Sequence, residues 1–248
     1  MIFKTLATAK AITDKIGPNI LDSIFPASCP LCGEGVANAH TLCGECYDQL
    51  PNAPEAYCLR CGGDTVKAEL GCGRCLVVND SPDRVYFPFT YNRGIAKLLV
   101  GYKFADYSEW CRLIANLCWL RLQEDLCWEE PDIILPVPLH PWRFIARRYN
   151  QSALLAGELA KKLDRPMVTN GLKRIKMTKP QTHLSQLGRV ANVQDAFKAD
   201  HNKVTGRAIL LVDDVFTTGA TMTSAVKELK RAGAKRVSVL CVARTLKE

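Results

Sequence analysis

Residues 208–221 read A-I-L-L-V-D-D-V-F-T-T-G-A-T. Ala208, Ile209, Leu210, Leu211 and Val212 are apolar without alternation, the pattern of a strand buried on both faces of a parallel sheet. Two carboxylates follow, Asp213 and Asp214, then a hydroxyl-rich turn through Thr217, Thr218, Gly219, Ala220 and Thr221. Beyond it Met222, Ala225, Val226 and Leu229 recur at helical spacing up to Gly233, which suits a C-terminal cap. The expected order is strand, acidic pair, loop, helix N-terminus. Backbone N–H groups and a helix dipole at such a loop can cradle a phosphate, and Gly219 permits close approach. Aspartates at a strand's carboxyl end can accept from ribose hydroxyls or hold a hydrated Mg²⁺. A sugar phosphate satisfies both halves.

Residues 212–221 resemble the phosphoribosyl pyrophosphate (PRPP) signature of type I phosphoribosyltransferases, a hydrophobic strand followed by D-D and T-T-G-x-T. The resemblance implies that Asp213 and Asp214 bind the ribose hydroxyls. It implies that Thr217, Thr218, Gly219, Ala220 and Thr221 wrap the 5′-phosphate. The plainer alternative is a strand-to-helix turn with two capping aspartates, which does not explain the doubled acid and the T-T-G-x-T together. No Walker-type phosphate loop occurs in the chain, which disfavours a P-loop nucleotidase.

The other organised feature is an internal repeat. Eight of the 12 cysteines form four C-x-x-C pairs: Cys29 and Cys32, Cys43 and Cys46, Cys58 and Cys61, Cys72 and Cys75. Each cysteine of the second half lies 29 positions after its counterpart, and the glycines repeat too, in C-x-x-C-G-x9-C-G-x-C. Two such turns complete a tetrahedral thiolate site, and a closed four-sulfur set suits structural Zn²⁺. Iron–sulfur ligation uses the same residue type, and a redox C-x-x-C would require a thioredoxin-like strand–helix context. The spacing leaves open whether each half holds its own ion or the pairs interleave. The segment is too poor in apolar residues to fold on a core of its own, so metal is expected to stabilise it. Of the remaining cysteines, Cys111, Cys118 and Cys241 sit in apolar patterns and Cys127 near a helix end, as small hydrophobes.

A chain of 248 residues has room for these ribbons and one medium α/β domain. Three regions are expected: an amphipathic helix over 1–25, a double zinc ribbon over 26–80, and a phosphoribosyltransferase-like domain over 81–248. Charge is uneven. Residues 1–80 hold 6 basic and 9 acidic residues (net −3), and 81–248 hold 27 and 16 (net +11). Residues 140–190 carry 11 basic against 2 acidic, a block able to face polyphosphate or nucleic acid. Lys4, Lys10, Asp14 and Lys15 interrupt the N-terminal apolar residues, which makes a poor signal peptide. No stretch approaches a membrane span, so a cytoplasmic location without membrane insertion is expected.

Strands are expected over 85–91 and 237–242, and helices over 94–102, 108–126 and 152–163. Trp110, Leu113, Ile114, Leu117 and Leu120 would form the inward face of the second helix. Residues 131–138 begin as a buried strand and end in a proline-stiffened loop carrying Arg143, Arg147, Arg148 and Asn150, a second anion-binding candidate. Residues 172–197 are polar and basic in their first half, suiting a mobile lid. His140 and His183 are isolated and carry no assigned chemistry.

The cysteine-rich start, V-P-L-H-P-W-R-x4-R-x-N-Q, Q-T-x-L-S-x3-R-x2-N-V and V-D-D-V-F-T-T-G-A-T together resemble the ComF family over nearly the whole chain. The resemblance implies a double zinc ribbon joined to a type I phosphoribosyltransferase fold, a mostly parallel sheet flanked by helices. It implies PRPP with Mg²⁺ as ligand, and a role with imported single-stranded DNA and competence or DNA-processing partners. Arg143, Arg147 and Asn150 would meet the pyrophosphate, and residues 173–185 with Lys179 and Gln181 would be the catalytic-type lid. Arg148 stands where the family usually has glycine, so that loop forgoes cheap positive φ. Two functions fit: an enzyme transferring the phosphoribosyl group, on a free base for example, or a PRPP-responsive accessory factor that binds single-stranded DNA.

Overall fold

The computed structural model describes residues 27–38, 40–53, 56–65, 72–73, 75, 81–104, 108–123, 131–139, 149–176 and 195–245. The expected N-terminal helix, Cys127, His140, Arg143, Arg147, Arg148, Lys179, Gln181 and His183 lie outside the described residues. The chain divides into two compact units, Met1–Gln49 and Leu50–Glu248. The second cysteine set therefore belongs with the larger unit.

In the smaller unit, Ser28 and Gly35 form an antiparallel bridge around the first C-x-x-C turn. Gly33 closes that turn at φ 85°, a conformation glycine adopts without a Cβ penalty. Helix α1 (Gly44–Asp48) starts at Cys43, whose sulfur accepts from the Cys46 N–H at 3.5 Å. The larger unit repeats this design. Tyr57 and Asp64 form the matching bridge, and Gly62 sits at φ 69°. Cys58 N donates to Gly63 O at 2.8 Å, as Cys29 N donates to Glu34 O at 2.7 Å. The sequence duplication is a structural one.

The rest of the larger unit is built on a parallel sheet of β1 (Arg84–Tyr86), β2 (Phe89–Thr90), β3 (Ile133–Pro136), β6 (Ala208–Phe216) and β7 (Arg236–Arg244). The order is β1-β7-β6-β3, with β2 also paired to β7. Strand β6 is central, setting Pro136 against Val212 on one side and Leu240 against Val212 on the other. All five residues from Ala208 to Val212 are buried, as the unbroken apolar run predicts. Truncating Leu211 to alanine there would cost about 2–5 kcal/mol. The strand continues past its expected end, because Asp213, Val215 and Phe216 pair with Cys241, Ala243 and Arg244. The acidic pair is therefore held on the sheet itself.

Helices α2 (Arg93–Phe104), α3 (Ser108–Leu122), α4 (Gln151–Leu163), α5 (His201–Val204) and α6 (Ala220–Arg231) complete the unit. Helix α6 buries Met222, Ala225, Val226 and Leu229, the predicted stripe. The expected inward face of α3 needs correction at Leu120, which is 46% exposed. Six residues beyond buried Ile114, it lies about 240° further round the helix. Cys111 and Cys118 fill that face instead. Residues 172–174, expected to open a mobile lid, form strand β4 (Leu172–Arg174), antiparallel to β5 (Phe197–Ala199). Backbone pairing there holds Lys173 and Arg174 in the fold.

Candidate functional site

At the carboxyl end of β6 a cleft of about 270 Å³ opens between β3, the start of α4, and the loop that leads into α6. Parallel sheets place ligands at this end, outside the strands' carboxyl termini. Asp213 and Asp214 both line it, with Thr217, Gly219, Ala220 and Thr221. Gly219 is the N-cap of α6 at φ 74°. A Cβ at 219 would stand 2.5 Å from Phe216 Cζ, so the loop closes over the phenyl ring only because residue 219 has no side chain. The N-terminal N–H groups of α6 and its dipole thus meet the acidic pair across one cleft. Thr218 does not line this cleft; its hydroxyl accepts from Ala220 N at 3.5 Å.

The acidic pair is oriented by its surroundings. Ser152 Oγ donates to Asp213 Oδ1 at 2.7 Å, and Asp214 Oδ1 accepts from Val215 N at 2.7 Å. Asn150, expected to meet pyrophosphate, is committed to the helix start: Oδ1 accepts from Ser152 N at 3.1 Å and Nδ2 donates to Val137 O at 3.0 Å. Buried Tyr102 donates its hydroxyl to Gln151 O, and burial pushes its phenol well above the ordinary range. Gln151, Ser152 and Arg174 line the cleft; sequence reasoning assigned Gln151 and Ser152 no role and took Arg174 only as part of the expected lid. Gln151 is 3% exposed and its Nε2 has no hydrogen-bond partner among the described residues. The signal available was N-Q-S at a helix start following a strand, opposite a second strand end.

The eight repeat cysteines resolve into two sets, Cys29, Cys32, Cys43 and Cys46, and Cys58, Cys61, Cys72 and Cys75. Within each, the four sulfurs lie within 4.8 Å of one another. A tetrahedral zinc thiolate needs sulfurs roughly 3.8 Å apart, and Cys32–Cys43 at 3.6 Å and Cys61–Cys72 at 3.4 Å approach that. Each half therefore assembles its own ligand set, and the pairs do not interleave. Burial opposes ionisation of Cys29, but backbone N–H groups of Cys43, Cys32 and Leu31 outweigh it and lower its pKa to about 6. In the second set Cys58 falls to about 7 in the same way, against burial, through Cys61, Arg60 and Cys72. Burial and the neighbouring thiols push Cys46 and Cys61 upward. Backbone donors aimed at sulfur, among thiols that resist joint ionisation, fit a bound cation.

Among the described residues no helix is long and apolar enough to cross a membrane. Residues 20–76 match the double zinc ribbon domain, and residues 149–248 match the phosphoribosyl transferase domain. The chain is 33% identical over 208 residues to Competence protein F of Haemophilus influenzae, covering 82% of this chain and 90% of that one. It is 32% identical over 225 residues to DNA utilization protein YhgH of Escherichia coli strain K12, covering 89% and 98%. It is 26% identical over 209 residues to Competence protein ComFC of Bacillus subtilis strain 168, covering 83% and 72%. With a double zinc ribbon followed by a phosphoribosyltransferase domain along one chain, this protein belongs to the ComF family.

Proposed function

We propose that the chain binds PRPP with Mg²⁺ at the β6 cleft and acts in the handling of imported single-stranded DNA, in competence or in the use of DNA as nutrient. One observation carries the binding reading: both carboxylates, the Thr/Gly loop and the N-terminus of α6 open on a single cleft. In this reading the 5′-phosphate lies against residues 217–221 and the ribose hydroxyls against Asp213 and Asp214. Ser152 orients Asp213, and Gln151 and Arg174 offer donors to the polar ligand. By the family resemblance Arg143 and Arg147 would meet the pyrophosphate, and Lys179 and Gln181 would act as catalytic-type lid residues. Mg²⁺ would supply charge neutralisation at the pyrophosphate. The DNA role is supported by the names of the relatives, Competence protein F and DNA utilization protein YhgH. Zn²⁺ in each cysteine set would hold the ribbons folded. We place the protein in the cytoplasm.

Isothermal titration of Mg²⁺–PRPP into zinc-loaded protein, with and without single-stranded DNA, tests this. PRPP affinity that shifts when DNA is present ties the fold to DNA handling. Affinity indifferent to DNA favours the alternative, a phosphoribosyltransferase acting on a free base with no DNA role. Absence of PRPP binding removes both.

A further inference from the structure

The two cysteine sets share a backbone donor. Cys32 Sγ accepts from Glu34 N at 3.5 Å, and its repeat counterpart Cys61 Sγ accepts from Gly63 N at 3.4 Å. The second set also has a partner that lies outside the repeat: Ser81 Oγ stands 3.3 Å from Cys75 Sγ. Both residues are buried, Cys75 at 2% and Ser81 at 6% exposure. The position 29 residues before Ser81 is Asn52, whose side chain takes Arg121 and whose carbonyl accepts from Thr90 Oγ1 at 2.7 Å. Ser81 is itself held by a helix and a strand of the same unit. Its carbonyl accepts from Lys230 Nζ, in the last turn of α6, at 2.8 Å. The same ammonium meets Asp83 Oδ1 at 3.0 Å, and Asp83 Oδ2 accepts from Val237 N on β7 at 2.7 Å.

We propose, on the reading that the second cysteine set holds Zn²⁺, that Ser81 is an outer-sphere hydrogen-bond donor to the metal-bound Cys75 thiolate and ties that site to α6 through Lys230. A zinc-bound thiolate carries no proton, so in the loaded site only the Ser81 hydroxyl can donate across the 3.3 Å contact. Burying an anionic sulfur without a donor is costly, and Cys75 has almost no access to water. The hydroxyl stabilises the thiolate, which is the form that ligates, and so holds the metal more firmly. Lys230 and Asp83 set the position of that hydroxyl from the sheet and helix side. Near the other end of the same helix, Gly62 of the second cysteine turn abuts Phe216, whose ring packs against Gly219, the N-cap of α6. The second metal site therefore bears on both ends of the helix that carries the Thr/Gly loop. Ser81 acts through Cys75 and is a positioning residue.

The test is a chelator titration of the full-length, zinc-loaded protein, with iodoacetamide labelling mapped cysteine by cysteine by mass spectrometry. In Ser81→Ala, Cys58, Cys61, Cys72 and Cys75 should lose protection at a chelator concentration lower by about tenfold or more. Cys29, Cys32, Cys43 and Cys46 should keep their midpoint. Lys230→Met, which leaves the hydroxyl and removes its anchor, should shift the second set by a smaller factor. Co²⁺ in place of zinc gives a readout that a merely structural serine would not move. Loss of the donor raises the sulfur lone pair, so the sulfur-to-metal charge-transfer band of Ser81→Ala should move to longer wavelength. An unchanged second-set midpoint or an unmoved band in Ser81→Ala would overturn the role of Ser81 and leave zinc at the set. An equal shift of both sets would overturn it too. Should Ser81→Ala not fold, Lys230→Met decides, and an unchanged second-set midpoint there overturns the tie to α6. Labelling of Cys58, Cys61, Cys72 and Cys75 in the unaltered chain before any chelator is added would remove the zinc reading and the proposal with it.

Discussion

Ser152, at the start of α4, donates its hydroxyl to Asp213 Oδ1 at 2.7 Å, fixing a carboxylate on β6 from a helix 61 residues away in sequence. The bond leaves Asp213 one defined orientation at the mouth of the cleft. Ser152→Ala should therefore lower PRPP affinity by about tenfold, the scale of one charge-assisted hydrogen bond, with little change in thermal stability. Asp213→Asn with Asp214→Asn should abolish binding in the same titration. Unchanged affinity in the double variant would remove the acidic pair from the site.

Gly219 makes a steric prediction. Its φ of 74° and the 2.5 Å approach of Phe216 Cζ to a built Cβ both oppose any side chain there. Gly219→Ala should cost about 1–3 kcal/mol of stability from backbone strain and reduce sugar-phosphate binding more than tenfold. Adding Phe216→Leu should recover part of the stability by relieving the contact, but not the backbone component. Denaturant melts of the two variants measure the difference.

Metal content separates the two cysteine sets. Purified protein should contain close to two zinc ions per chain by metal analysis, one for each set. Cys32→Ser should remove one ion and Cys61→Ser the other, each independently. Losing both ions from either single change would mean that the sets share ligands. Stripping the second set should also weaken ligand binding at the cleft, because Gly62 packs against Phe87 and Phe216 and Phe216 supports Gly219.

Among the described cysteines, thiol chemistry should be confined to the ribbons. Burial pushes Cys111 up to about 12 and raises Cys118 and Cys241 as well. A thiol alkylates as its thiolate. At pH 8 Cys111, Cys118 and Cys241 should thus stay unlabelled by iodoacetamide in folded protein and label fully in denaturant. Mass-spectrometric mapping checks each. Labelling of Cys241 in the native state would contradict its burial beneath the acidic pair.

Much of the site was legible in the chain because it is local. Asp213, Asp214 and the 217–221 turn are consecutive, so one strand-to-helix junction carries them to one place. The cysteine repeat was legible for the same reason, since each turn is closed by its own glycine and backbone hydrogen bonds. A lid was expected from composition alone, and the first residues of that stretch proved to be strand because β5 offered a partner. Leu120 was misplaced because apolar identity does not settle which side of a short helix meets a neighbour.

The sequence by itself determined the strand, the acidic pair, the Thr/Gly loop and the four C-x-x-C pairs, because each is written in residues a few positions apart; that the pairs gather into two sets of four was decided by the fold. Only the tertiary structure decided which distant groups meet them. Ser152 reaches Asp213, Tyr102 anchors Gln151, and Arg244 answers Asp64 across 180 residues of chain. These pairings follow from the parallel order of β3, β6 and β7, which brings the carboxyl ends of separate strands to one edge. Contacts of that kind depend on strand register and packing, which local spacing does not encode.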